Sequence, residues 1–159
     1  TLRGYQEKAV QGVRDAYTRR YKAPLLVLPT GGGKTIVFSY IATNSSARGK
    51  KVLVLVHRVE LLKQTASKLR GFGIRCGLIS PKFSADYTAP VQVAMVQTMI
   101  KRLHQYRHFD LIITDECHHA ISPTYLKIIH YFYGLKQKVG VIKILQLFQI
   151  KENNLLMFM

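Results

Sequence analysis

The sequence has few cysteines and few acidic residues, and it contains no long hydrophobic run. Its 159 residues include only two cysteines, Cys76 and Cys117. That number argues against a disulfide framework and indicates reduced thiols in the cytoplasm. No apolar stretch approaches the roughly 18 residues of a transmembrane helix, and no secretory signal is visible. A chain of this length is expected to form one domain with a substantial core.

The shortage of acidic residues leaves a large positive charge. Eight Asp and Glu stand against 24 Lys and Arg, which gives a net charge of +16. An excess of this size attracts polyanions. The basic residues are scattered, which indicates faces of folded helices and not a disordered tail. Solubility alone would be reached with less repulsion by a surface of mixed sign. We therefore expect nucleic acid as a partner and no membrane.

A glycine-rich segment follows the apolar residues 25–28 and precedes a helical pattern. It consists of Thr30, Gly31, Gly32, Gly33, Lys34 and Thr35. Glycines let backbone N–H groups turn inward around phosphate oxygens, and the start of a helix favours the same anion. In such a loop Lys34 reaches the β- and γ-phosphates and Thr35 binds Mg²⁺. The segment predicts a nucleoside triphosphate site; the alternative is a plain glycine-rich turn. The full phosphate-loop pattern has glycine where this chain has Leu28.

Two adjacent carboxylates follow a second apolar run, at residues 109–114. At the end of a strand, Asp115 and Glu116 point in different directions, so Asp115 can hold the Mg²⁺ shell while Glu116 orients and deprotonates water. The next residues, Cys117, His118 and His119, raise zinc as a rival. The chain has no Cys-x-x-Cys or His-x₃-His set to complete a zinc site.

Strand and helix patterns alternate along the chain, which predicts a mostly parallel sheet covered by helices, with ligands at the carboxyl ends of the strands. The first helix is predicted with Tyr5, Ala9 and Val13 on its apolar stripe. Another is predicted to open at Gln97 and to run through Leu103. A last helix begins at Ser122-Pro123, with an apolar stripe that includes Tyr125, Leu126, Ile128, Ile129, Phe132 and Tyr133.

Taken together, Pro-Thr-Gly-Gly-Gly-Lys-Thr and Asp-Glu-Cys-His resemble the superfamily-2 DEAD/DEAH (DECH)-box helicases. The resemblance implies the first RecA-like lobe of such an enzyme, an α/β phosphate-loop NTPase that uses ATP and Mg²⁺. Leu-Arg-Gly-Tyr-Gln near the start resembles their Q-motif, in which Arg3 would pack on adenine and Gln6 would hydrogen-bond its edge.

The same resemblance implies nucleic-acid contacts at two corners. His57-Arg58-x-Glu-Leu-Leu resembles motif Ia, and Gln97-Thr98 corresponds to a phosphate-contacting corner further along. His118 would couple the nucleotide site to the nucleic-acid groove. The variants of these motifs resemble DNA-processing members, which favours DNA over RNA.

The resemblance covers Leu2 to His119 and extends to Gly140, and residues 1–141 are predicted to form the lobe. The Ser-Ala-Thr coupling motif expected next is absent, and residues 142–159 form an apolar tail without a helicase pattern. This predicts a truncation or frame disruption. In this family the second RecA-like lobe carries the arginine fingers. We expect that lobe to be missing, and we therefore expect weak ATPase activity at best. The function indicated is the nucleotide-binding lobe of an ATP-dependent nucleic-acid helicase or translocase. The alternatives are a catalytically weak binding remnant and the motor lobe of a restriction-type enzyme.

Overall fold

A computed structural model describes residues 4–18, 24–29, 34–116, 123–136, 140–147 and 155–158. Helices and strands alternate along these residues. In chain order they are α1 (Gly4–Thr18), β1 (Pro24–Pro29), α2 (Lys34–Ala47), β2 (Val52–Val56), α3 (Val59–Gly71), β3 (Cys76–Ile79), β4 (Val91–Met95), α4 (Val96–Met99), a 3₁₀ turn (Leu103–Gln105), β5 (Leu111–Glu116), α5 (Pro123–Lys136), β6 (Gly140–Leu147) and β7 (Leu155–Phe158).

The strands form one sheet in the order β3-β4-β2-β5-β6-β1-β7. Neighbours from β3 to β1 are parallel, and β7 pairs with β1 in the antiparallel sense. The predicted mostly parallel α/β sheet is confirmed. We call the end of the sheet at which β1 to β6 finish the carboxyl edge, and the end at which they begin the amino edge.

Each face of the sheet carries its own hydrophobic core. Val52, Val54 and Val56 of β2 join a cluster that includes residues of α1, α2 and α3. Leu53 and Leu55, which point to the opposite face, join a cluster with residues of α4 and α5. All five strand residues are fully buried. A strand covered on both faces needs an unbroken apolar sequence, which is what β2 has.

The predicted helix from Gln97 through Leu103 is wrong in length. α4 is a single turn, and Met99 at its end is fully buried under β4. Beyond α4, backbone hydrogen bonds join residues that are three apart, which tightens the chain into turns. For example, the N–H of Arg102 donates to the Met99 carbonyl at 2.9 Å. The apolar residues at 99–103 fit such turns as well as they fit a helix, because they are too few to mark a second turn.

Two other side chains differ from the predicted stripes. Leu126 is 37% exposed, because the buried positions of α5 are Tyr125, Ile128, Ile129 and Phe132, whose helical spacing turns residue 126 toward solvent. Val10, which the predicted α1 stripe leaves out, is buried in the first core.

The predicted domain boundary at residue 141 lies within β6, which continues to Leu147 between β5 and β1. The reading of residues 142–159 as a tail after a truncation stays a prediction. Among the described residues, no helix combines the length and apolar character that crossing a bilayer requires.

Candidate functional site

The predicted strand and helix around the phosphate loop are both present. β1 ends at Pro29 at the carboxyl edge, and α2, a helix of 14 residues, begins at Lys34. Gln6 lies in the first turn of α1. Several predicted site residues lie outside the described residues: Arg3, Thr30, Gly31, Gly32, Gly33 and His118.

β5 carries the two acidic residues to the same edge. Asp115 is in register with Ile144 of β6, and Ile144 is in register with Leu26 of β1. Glu116 is the last residue of β5 and pairs with Leu145. One strand therefore separates the acidic pair from the strand that leads to the phosphate loop. Two strand spacings amount to about 10 Å, a gap that can hold a metal ion and a terminal phosphate.

The two corners predicted to contact nucleic acid lie on the other side of β5. Val56, at the end of β2, is in register with Met95, at the end of β4, so residues 57–58 and 96–98 leave the sheet side by side. Arg58 and Gln97 are exposed, and His57 is partly buried. Thr98 is only 8% exposed. Gln97 is thus the member of its pair with the freer side chain, and the phosphate contact of Thr98 stays a prediction.

Arg58 also caps α3. Its backbone is extended, and its carbonyl accepts the N–H of Leu62 at 3.1 Å, but no side chain caps the first turn of the helix. Uncapped N–H groups at the start of a helix attract anions, and the exposed guanidinium of Arg58 adds a full positive charge beside them. This corner suits a phosphate.

The zinc alternative finds no support in the described part of the chain. No group of three or more His, Cys, Asp or Glu there is arranged to hold a metal ion, and Cys76 is a free thiol. Burial raises the pKa of that thiol, which keeps it protonated. Cys117 and His118 lie outside the described residues.

The strand between β5 and β1 extends beyond the predicted domain boundary at residue 141. Residues 142–147 were expected to follow the lobe, yet they continue β6 and set the spacing of β5 from β1. The signal that could have found them is the aliphatic content of residues 141–145, Val-Ile-Lys-Ile-Leu, which Lys143 alone interrupts.

The model of the family described as type III restriction enzyme, res subunit, matches residues 1–142. The chain belongs to this family. It is 34% identical over 143 residues to "Putative ATP-dependent helicase IRC3" of Saccharomyces cerevisiae, covering 82% of this chain and 21% of that protein. It is also 34% identical over 153 residues to "Putative mitochondrial ATP-dependent helicase irc3" of Schizosaccharomyces pombe, covering 89% of this chain and 25% of that protein.

The fold has a solved counterpart in the Hef helicase domain of Pyrococcus furiosus. The TM-score is 0.69 at 28% identity, over 86% of this chain and 32% of that one. The chain therefore has the fold of the first RecA-like lobe of the superfamily-2 helicases. It spans about a fifth to a quarter of the length of these two curated relatives.

Proposed function

We propose that this chain is the nucleotide-binding lobe of an ATP-dependent nucleic-acid helicase or translocase. The observation that carries the proposal is the register of the sheet. It brings Asp115 and Glu116 to the carboxyl edge, one strand from the phosphate-loop strand on one side and next to the Arg58 corner on the other. The residues proposed for nucleotide binding and those proposed for nucleic-acid contact are therefore adjacent along one edge of the sheet.

The nucleotide half has the donors that Mg²⁺·ATP requires. In the proposal the N–H groups of residues 30–33 and Lys34 hold the phosphates, while Thr35 and Asp115 hold Mg²⁺. A hydroxyl and one carboxylate, completed by phosphate oxygens and water, form the oxygen set that Mg²⁺ prefers. The ion would neutralise charge on the transferred phosphoryl group. Arg3 and Gln6 are proposed for adenine, because a carboxamide can donate to and accept from its edge at once.

Glu116 is proposed as the group that orients water and takes its proton. Its place at the last residue of β5 supports this role, because β5 ends at the same edge of the sheet as β1, the strand that precedes the phosphate loop. His118 is proposed to couple this site to the nucleic-acid side. An arginine finger is worth about 10³ to 10⁵ in rate in comparable enzymes, and in this family it comes from the second lobe. We therefore propose trace ATPase activity for these 159 residues and full turnover only with a second lobe.

The nucleic-acid half is proposed to contact the phosphate backbone and not the bases. Arg58, Gln97 and the first turn of α3 are the exposed contributors, with His57 and Thr98 beside them. Such contacts give affinity without sequence preference and a steep dependence on salt. DNA is the proposed substrate, on the resemblance of the motif variants to DNA-processing enzymes.

Two alternatives each have one observation in their favour. A restriction-type motor lobe is favoured by the family description that matches residues 1–142. A remnant that binds without useful turnover is favoured by the missing Ser-Ala-Thr motif after Val141. Locating a second lobe encoded downstream separates the remnant from the motor.

The compartment is proposed as the cytoplasm, on the low cysteine content. The Schizosaccharomyces pombe relative is named mitochondrial, so imaging of a tagged full-length protein beside a mitochondrial marker is the relevant test.

The proposal is tested by titrating the chain with Mg²⁺·ATP and Mg²⁺·GTP. Lys34→Ala removes a charged hydrogen-bond donor and should weaken ATP binding at least tenfold and up to about 100-fold. Gln6→Ala should reduce the preference for ATP over GTP. Lys127→Ala, at an exposed position of α5, removes the same charge elsewhere and serves as the control. Equal ATP affinity in Lys34→Ala and the control would show that the phosphate loop does not bind ATP.

A further inference from the structure

A pocket of about 480 Å³ opens at the amino edge, at the opposite end of the sheet from the predicted nucleotide site. Its walls come from the residues that precede β2, β4 and β5, together with the 3₁₀ turn. The lining includes Lys51, Tyr87, Gln105, Tyr106, Arg107 and Phe109. We call it the amino-edge pocket.

The lining of the amino-edge pocket is basic. Lys51 and Arg107 are exposed and His108 is partly exposed, and none of the described lining residues is acidic. Two carboxylates flank the lining along the chain: that of Asp110 accepts the backbone N–H of Lys51 at 2.8 Å, and that of Asp86 accepts the Thr88 hydroxyl at 2.8 Å and lies 3.7 Å from the Arg75 guanidinium. Two cationic side chains at the mouth of a concave site attract a phosphate or another anion.

The amino-edge pocket also contains an aromatic platform. Tyr87 is 52% exposed, and its ring packs on that of Tyr106 with centroids 5.3 Å apart. The Tyr87 hydroxyl donates to the Gln105 side-chain oxygen at 2.9 Å, which fixes the free end of the ring. A planar ring that is held in place and half exposed can stack a nucleobase at little cost in conformational entropy.

The platform is anchored in the core. Tyr106 packs on Phe109, with centroids 6.0 Å apart, and Phe109 meets Phe132 of α5 edge to face. The loop that carries Tyr87 is fixed as well, because buried Gln92 donates its amide to the Asp86 carbonyl at 2.6 Å. The ring positions are therefore set by the fold and not by a mobile loop.

Tyr106 adds an unused donor. The residue is only 7% exposed, and its hydroxyl has no hydrogen-bond partner within the described ranges. Burial raises the pKa of this group, so it is an O–H donor at neutral pH. A buried hydroxyl without a partner is uncommon in native proteins, and a ligand oxygen in the pocket would satisfy it.

We propose that the amino-edge pocket binds an unpaired nucleotide of a single-stranded nucleic acid. The base stacks on Tyr87, Lys51 and Arg107 contact the flanking phosphates, and a ligand oxygen accepts from the Tyr106 hydroxyl. This site is separate from the Arg58 corner: the five residues of β2 place the two edges about 17 Å apart. A nucleic-acid strand that is bound at both edges runs along the β-strands, from one edge of the sheet to the other.

The first test is photo-crosslinking of the 159-residue chain to a short oligothymidylate that carries 5-iodouracil, followed by peptide mapping. We expect a crosslink in the peptide that contains Tyr87, and we expect it to persist in Arg58→Ala. Crosslinks confined to carboxyl-edge peptides would overturn the second site and leave the proposed function intact. No binding of any oligonucleotide would overturn both.

Affinity measurements on variants add a matched control. Tyr87→Ala should weaken oligothymidylate binding about five- to tenfold, the lower range for loss of one base–aromatic stack. Tyr87→Phe keeps the ring but loses the hydrogen bond to Gln105, so it should weaken binding by less than Tyr87→Ala does. Because Tyr87 is half exposed in a loop, circular dichroism should show both variants folded. Equal affinity in all three proteins would contradict the proposal.

The salt dependence of oligothymidylate binding tests whether Lys51 and Arg107 contact phosphates. Lys51→Gln/Arg107→Gln should reduce the slope of log affinity against log salt by about 1.4, at about 0.7 for each single-strand phosphate contact. The control, Lys82→Gln/Lys127→Gln, removes two exposed charges elsewhere and should change the slope much less. Thymidine monophosphate should bind more weakly than the strand, and equal affinity would contradict binding of a strand.

Discussion

The two edges of the sheet differ in how their candidate site residues are distributed along the sequence. At the carboxyl edge, the residues of interest come in short contiguous motifs, each placed directly after a strand, as Asp115 and Glu116 follow the buried part of β5. At the amino edge, the pocket is assembled from Lys51, Tyr87 and residues 105–109, which are far apart in sequence. A contiguous motif is visible in the sequence, whereas a composite pocket becomes visible only once the strands are in register.

The largest expected effect concerns the carboxyl edge. In a chain that includes a second lobe, Glu116→Gln should lower ATP turnover by about 10² to 10⁴-fold, the usual contribution of a general base. ATP affinity should be unchanged, because the amide keeps the size of the side chain. Steady-state ATPase rates and an ATP titration measure the two quantities.

Asp15→Asn is the matched control, since Asp15 is an exposed α1 residue whose carboxylate accepts a hydrogen bond from Gln11. It should leave turnover unchanged. Full activity in Glu116→Gln would mean that the acidic pair is not the catalytic end of the sheet.

The next effect concerns stability near the amino edge. A Cβ at Gly77 would overlap the side-chain oxygen of Gln92 and would also approach the Asp86 carbonyl at 2.8 Å. Gly77→Ala should therefore lower the free energy of unfolding by about 1 to 3 kcal/mol, the usual cost of overpacking. Urea denaturation measures the change.

Gly134→Ala provides a control of opposite sign. Gly134 lies within α5, and a Cβ there meets nothing within 4 Å. The change should raise the free energy of unfolding by up to about 1 kcal/mol, because alanine favours the helix. A Gly77→Ala protein as stable as the wild type would show that Gln92 does not hold the loop of Tyr87 rigidly.

A smaller expected effect distinguishes direct contact of Arg58 with the DNA backbone from general attraction by positive charge. Arg58→Ala should reduce the salt slope of duplex DNA binding by about 1 if Arg58 neutralises one phosphate. Lys127→Ala, with the same loss of charge, should change it less. The loss should be similar for different DNA sequences, and a loss restricted to one sequence would indicate base recognition instead.

The smallest expected effect is a pH dependence of stability. Burial raises the pKa of Cys76 from 9.0 and that of Tyr106 from 10.0. The folded state then holds these protons more tightly than the unfolded state does. Their contribution is complete below about pH 9 and is lost as pH rises through the raised values.

Urea midpoints measured from neutral to alkaline pH should fall above pH 9 in the wild type. The fall should be shallower in Cys76→Ala/Tyr106→Phe. An identical alkaline profile in the double variant would show that other groups control the loss.

The sequence predicts most of the fold because its strands are distinct. The run of residues 52–56 is continuous and apolar, and the pattern of α3 gives both its buried side, with Leu62 and Leu69, and its exposed side, with Lys63 and Lys68. The predicted length of α4 was wrong because the apolar residues at 99–103 are too few to distinguish a second helical turn from the turns that follow Met99.

The sequence predicts which residues belong to the candidate site at the carboxyl edge, but it does not predict how far apart the strands that carry them lie. The motifs name Lys34, Asp115 and Arg58, yet only the register shows that β6 lies between β5 and β1. That spacing depends on residues 142–147, whose sequence carries no motif. The amino-edge pocket could not be predicted, because exposure of Tyr87 and burial of Tyr106 follow from packing.

The central claim is that the carboxyl edge is the nucleotide-binding end of this lobe. Hydrogen exchange followed by mass spectrometry tests it most directly, with the chain compared in the presence and absence of Mg²⁺·ATP. We predict protection in peptides covering residues 29–36 and 114–117, no change in peptides covering 86–92 and 104–109, and no protection in Lys34→Ala. Protection at the amino edge without protection at the carboxyl edge would contradict the account.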